Sequence, residues 1–123
     1  MIELWLVLML AVAVHETAHL VRMRAAHLSP VLTLGFLGVG WRFEPRLASA
    51  RQLRSAWLIG PIAEALTWAT AALLLRPEAA QLLLLMTVQL AANLMLPGSD
   101  GWRAAQTLLR PAPARQPAIR PAV

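Results

Sequence analysis

Leu4-Trp5-Leu6-Val7-Leu8-Met9-Leu10-Ala11-Val12-Ala13-Val14-His15-Glu16-Thr17-Ala18-His19-Leu20-Val21 decides how this chain is read. Apart from His15, Glu16, Thr17 and His19 every residue in it is apolar. Its eighteen residues rise about 27 Å as a helix, close to the thickness of a bilayer's hydrocarbon core. The composition of the whole chain points to the same solvent. Of 123 residues, 59% are apolar and 14% charged. A soluble domain this small leaves much of its surface in water and covers it with charged side chains. A secretory signal peptide is the rival reading of the first run, with Ala11-Val12-Ala13 as a cleavage-like site, but the leading segment carries Glu3 instead of a positive charge.

Outward from this run, the chain offers two more stretches of spanning length, about 55–75 and 79–96, separated by Arg76-Pro77-Glu78, which cannot continue a helix unbroken. Between the first and second spans, residues 31–43 are too short to cross. Gly35, Gly38 and Gly40 among β-branched and aromatic residues favour two short strands, a Gly-rich hairpin or re-entrant element. Arg46, Arg51 and Arg54 mark a polar stretch that reads as an interfacial helix leading into the second span. Residues 111–123 hold Pro111, Pro113, Pro117 and Pro121 with Arg115 and Arg120, a composition expected to be a disordered tail. The expected fold is an all-α membrane protein of three transmembrane helices with a hairpin between the first two, its core within residues 1–110.

All eleven basic residues are Arg, and the net charge is +5. Six lie between the first and second spans, four follow the third, and Arg76 alone lies at the other end. The positive-inside rule then places the N-terminus outside and the long first connection and the tail in the cytoplasm. Trp5, Trp41, Trp57 and Trp102 fall where interface anchors belong. No soluble face clusters Arg with aromatics, which argues against a nucleic-acid partner. Cysteine is absent, which excludes disulfides and thiolate metal ligands. The preference for Arg, Ala and Leu suggests a GC-rich bacterial genome, hence a bacterial plasma membrane.

His15-Glu16-Thr17-Ala18-His19 has the pattern HExxH. Histidines four apart share a helix face, so both can bind one Zn²⁺, and the Glu beside the first can take a proton from a metal-activated water. Three ionisable groups inside a lipid-spanning helix are costly unless they pair or bind something, so their placement is itself a functional signal. A catalytic zinc site needs a third protein ligand and an open position. The candidates are Glu64 in the second span, His27 after the first, and Asp100 in Asn93-Leu94-Met95-Leu96-Pro97-Gly98-Ser99-Asp100-Gly101. Asp100 falls at the membrane depth of His15 and His19. Pro-Gly-Ser-Asp-Gly is also strong turn chemistry by itself, and the two roles are compatible.

With HETAH in the first span, Gly60-Pro61-Ile62-Ala63-Glu64 in the second and the Asn93 to Gly101 stretch at the end of the third, the chain resembles the site-2 protease family of intramembrane zinc metalloproteases. The resemblance covers roughly residues 1–110, including a Gly-rich hairpin between spans one and two. It implies a zinc-dependent endopeptidase that hydrolyses peptide bonds in transmembrane or membrane-associated substrates through a metal-activated water, with one Zn²⁺ per chain. By that resemblance His15, His19 and Asp100 ligate the metal, Glu16 is the general base, and Asn93 holds substrate backbone or the oxyanion. The spacing departs from the family's: Pro97 stands four residues after Asn93 and Asp100 seven, as if by a small deletion, and Glu64 stands where an Asn is common.

Several residues have plainer readings. Glu64 reads as a protonated carboxyl bonded to Thr67 or Thr70 within the bundle, in preference to a role in catalysis or in tuning zinc. Gln89 and Asn93 read as glue between helices, and His27 as an interfacial residue. The Gly-rich strands could offer an edge that pairs with an unwound substrate. The alternative function is a catalytically silent membrane scaffold of the same fold that binds a partner helix.

Overall fold

The computed structural model describes residues 2–35, 38–42 and 48–109. It is mostly helical, with three helices long and apolar enough to cross a membrane and one small hairpin. α1 spans Ile2–Ala25, the strands β1 and β2 span Val31–Gly35 and Gly38–Arg42, and α2 spans Ala50–Leu74. A 3₁₀ turn over Arg76–Glu78 leads into α3, Ala79–Met95, and a short helix α4, Asp100–Leu109, follows.

α1 and α2 meet along two matching rows. The buried residues of α1 are Val7, Ala11, His15, His19 and Met23, each four after the last. Those of α2 include Ala56, Gly60, Glu64, Trp68 and Ala72, again at intervals of four. Residues four apart stack on one helix face, so each row is a ridge that packs against the other helix. The chain reverses between the helices, so the rows run in opposite directions. Val7 and Ala11 pack with Trp68, Ala72 and Leu82 of α3 at one end, and Met23 with Ala56 and Leu28 at the other. The polar residues His15, His19 and Glu64 fall in the middle of the ridges, between these two apolar clusters.

Elsewhere the helices are apolar on their outer faces too. Leu6, Leu10, Leu66, Leu73, Leu84 and Val88 are all exposed, and in α3 only Leu82 is buried. Helices hydrophobic all round are stable in lipid or under a covering partner, not in water.

Each break in the helices has a local cause. α1 ends where His27 takes a left-handed conformation (φ 56°) and the Leu28 N–H donates back to the Met23 carbonyl at 2.9 Å. α2 opens with a capping box: Ser49 Oγ accepts from the Gln52 N–H, and the Gln52 side chain accepts from the Ser49 N–H. Pro61 lies inside α2 and is buried there.

Two expectations need correction. The polar stretch holding Arg51 and Arg54 is not a separate interfacial helix, because Ser49 caps one continuous helix from Ala50 onward. The helix that contains the second span therefore begins at Ala50, ahead of the span itself. The segment after Pro97 is not only a turn, since helix α4 starts at Asp100. The hairpin lies within the expected 31–43, with Val31 paired to Arg42 and Gly35 to Gly38 in antiparallel register. The expected disordered tail, 111–123, and the role given to Arg46 lie outside the described residues.

Candidate metal centre

The centre forms where the two ridges carry polar groups. His15 and His19, one turn apart on α1, send their Nε2 atoms to within 3.0 Å of each other. α4 brings the third group: Asp100 Oδ2 stands 3.0 Å from His15 Nε2 and 2.9 Å from His19 Nε2. Gly60 supplies the room. A Cβ at this position would collide with His19 Nε2 and lie 2.7 Å from His15 Nε2, so only glycine lets α2 approach here.

The other ring nitrogens fix the state of the imidazoles. His19 Nδ1 lies 2.6 Å from the Ala56 carbonyl, an acceptor only, so Nδ1 carries the proton and donates it. His15 Nδ1 lies 2.7 Å from Glu64 Oε2 and donates to that carboxylate. In the neutral form of both rings Nε2 then presents a lone pair, and the two lone pairs face a carboxylate oxygen. Three acceptors in mutual contact attract one another only if a proton or a cation sits among them. Donors around a tetrahedral zinc, with bonds of about 2.0–2.1 Å, stand about 3.3–3.4 Å apart. The three atoms are within a few tenths of an ångström of that spacing, and the two-imidazole, one-carboxylate set suits zinc. The residues present therefore fit a metal ion.

Asp100 is carried by a built turn. Leu96 leaves α3 in extended conformation, and Gly98 takes φ +89°, a region that side chains disfavour. The Ser99 hydroxyl bonds the Leu96 carbonyl at 2.7 Å and reaches the Asn93 carbonyl as well. Asn93 Oδ1 accepts the Gly101 N–H at 3.3 Å, and a Cβ on Gly101 would come within 2.7 Å of the Asn93 carbonyl oxygen. On the outer side of α4, the Arg103 guanidinium lies 4.9 Å over the Trp57 ring of α2.

Glu16 follows His15 and is partly buried. Its Oε2 is shielded from solvent and has no hydrogen-bond partner among the described residues. An orphaned carboxylate oxygen one residue from a histidine of the centre is free to bond an incoming water.

The structure thus brings together His15, His19 and Asp100, with Glu16 adjacent in sequence. It gives Asn93 a bracing contact under Asp100's turn. His27 caps α1 and is exposed, apart from the centre. Glu64 bonds neither Thr67 nor Thr70, whose hydroxyls turn to the Ala63 and Leu66 carbonyls of their own helix. It bonds His15 instead, and Trp68 Nε1 reaches its Oε1 at 3.4 Å. Two features of the centre come only with the packed helices, the contact of Glu64 with His15 and the space left by Gly60. The signal for both is their spacing, Gly60 and Glu64 being one turn apart on a face that continues to Trp68. In comparisons with known proteins, no family model, curated protein or solved structure matches the chain.

Proposed function

We propose that the chain is an integral membrane zinc endopeptidase that hydrolyses peptide bonds of membrane-embedded or membrane-associated substrates, as its resemblance to the site-2 protease family implies. The observation that carries the reading is the convergence of two Nε2 atoms and the Asp100 carboxylate on one point, with Glu16 next to His15 in the sequence. In this reading His15, His19 and Asp100 hold the ion. Bound zinc supplies a Lewis acid that polarises a carbonyl and lowers the pKa of a water toward neutrality. Glu16 takes the proton of the attacking water and passes it to the leaving amine, its unpartnered Oε2 being the atom that does so. Asn93 lies at the turn that carries Asp100 and in this reading steadies substrate backbone through its remaining amide donors. The bilayer and a transmembrane substrate are the partners, and the protein sits in a bacterial plasma membrane with its N-terminus outside.

The test is cleavage of transmembrane peptides that carry helix-breaking residues, reconstituted with the protein in liposomes, with new termini read by mass spectrometry. Zinc-dependent cleavage is expected, and Glu16→Gln should lower its rate about 100-fold or more. Cleavage at equal rates by wild type and Glu16→Gln would remove Glu16 from the chemistry. No cleavage of any peptide, with peptide binding retained, would favour the silent scaffold.

A further inference from the structure

Glu64 is a carboxylate for which the proposed chemistry has no use, yet it is 3% exposed in the middle of an apolar helix. A carboxylate placed there is costly unless a specific partner holds it. Both of its oxygens are held. Oε2 accepts the Nδ1–H of His15 at 2.7 Å, and Oε1 accepts from Trp68 Nε1 at 3.4 Å, one turn further along α2. The partners come from two helices, α1 and α2, one to each oxygen. The same face of α2 accommodates the other imidazole by a different device, the Ala56 backbone carbonyl taking the Nδ1–H of His19. The two histidines are therefore not equivalent. One is oriented by main chain, and the other by an ionisable side chain 49 positions away.

We propose that Glu64 is the positioning residue for His15, fixing the tautomer and ring orientation that present Nε2 to the metal. This rests on the metal-centre reading above. A carboxylate behind a metal-bound imidazole locks the Nδ1–H form, makes the ring a stronger donor and typically changes affinity about 10- to 100-fold. Glu64 does not touch the metal. It acts through His15, and Trp68 holds Glu64 in turn.

Titration of the full-length protein in detergent with Co²⁺, in competition with a chelator, tests this, because Co²⁺ reports both affinity and coordination through its visible spectrum. Glu64→Gln keeps an oxygen that can accept the Nδ1–H but removes the charge, and binding is expected to weaken about tenfold. Glu64→Leu removes the acceptor, and the loss should approach 100-fold. At saturating Co²⁺ both variants should show the wild-type spectrum, since the ligand set is unchanged, whereas His15→Ala should alter it. Wild-type affinity, within about twofold, in a folded Glu64→Leu variant would overturn the proposal, and if that variant does not fold, wild-type affinity in Glu64→Gln would do so. A changed spectrum in saturated Glu64→Gln would make Glu64 a direct ligand and also overturn it. Failure of wild type itself to bind Co²⁺ or Zn²⁺ is a different result, which removes the metal centre and this inference together.

Discussion

Gly60 is where the centre has least space, since the Nε2 atoms of both histidines occupy the volume a Cβ would need. Gly60→Ala must either push α2 away from α1 or turn the imidazoles off the shared point. Overpacking of this kind costs about 1–3 kcal/mol, and the loss of alignment should appear as metal affinity weakened at least tenfold in a protein that retains its helicity. Wild-type zinc affinity in Gly60→Ala would mean that the histidines have room the geometry denies them. At this scale the sequence is informative where chemistry depends on spacing within one helix. His15, Glu16 and His19 are legible because residues four apart must share a face, and Asp100 because a ligand must lie at the same depth. Glu64 is not legible in the same way. Its near neighbours in sequence, Thr67 and Thr70, bond their own helix carbonyls, and its partner arrives from α1 only when the helices pack.

At the scale of elements, the connection from α3 to α4 decides whether Asp100 reaches the histidines. Gly98 holds φ +89°, so Gly98→Ala places a Cβ in a strained region at a cost of about 1 kcal/mol, although nothing lies within 4 Å of that Cβ. Relaxation of the turn would move Asp100, so the expected result is weaker metal binding with α1 and α2 intact, as measured by zinc competition alongside circular dichroism. The hairpin allows a complementary test. A Cβ at Gly40 meets nothing within 4 Å, so Gly40→Val starts from open space. If the strands offer an edge to an extended substrate, the added β-branched side chain should slow cleavage of a transmembrane peptide without changing metal content. Cleavage at the normal rate would dismiss that use of the hairpin. The elements themselves are largely legible in the sequence, because length, apolarity and the breaks at Ser29-Pro30, Arg76-Pro77 and Pro97-Gly98 bound them. α4 is hidden behind turn chemistry that does form, at Gly98 and Ser99, and then serves as the start of a helix. Which face of α1 or α2 is buried is not legible from hydrophobicity, since both the outer and inner faces are apolar. The marks of the inner face are small and polar residues at intervals of four, from Ala11 to His19 and from Ala56 to Glu64.

The whole molecule presents three apolar helices whose exposed side chains include Leu6, Leu10, Leu66, Leu84 and Val88. Six arginines between the first two spans and four after the third, against Arg76 alone, predict that the Arg76 turn faces outward. Because the chain has no cysteine, single replacements report side directly. Glu78→Cys should react with an impermeant thiol reagent added to intact cells, and Ser29→Cys should react only after the membrane is opened. The reverse pattern would invert the orientation. Every role proposed for the site depends on one ion at one place, and metal content measures it most directly. Elemental analysis of detergent-purified wild type should find about one zinc per chain, with the metal lost or much weakened in His15→Ala, His19→Ala and Asp100→Ala and retained in Glu16→Gln. A folded wild-type protein that holds no zinc, or zinc retained at full occupancy in the three ligand variants, would contradict it.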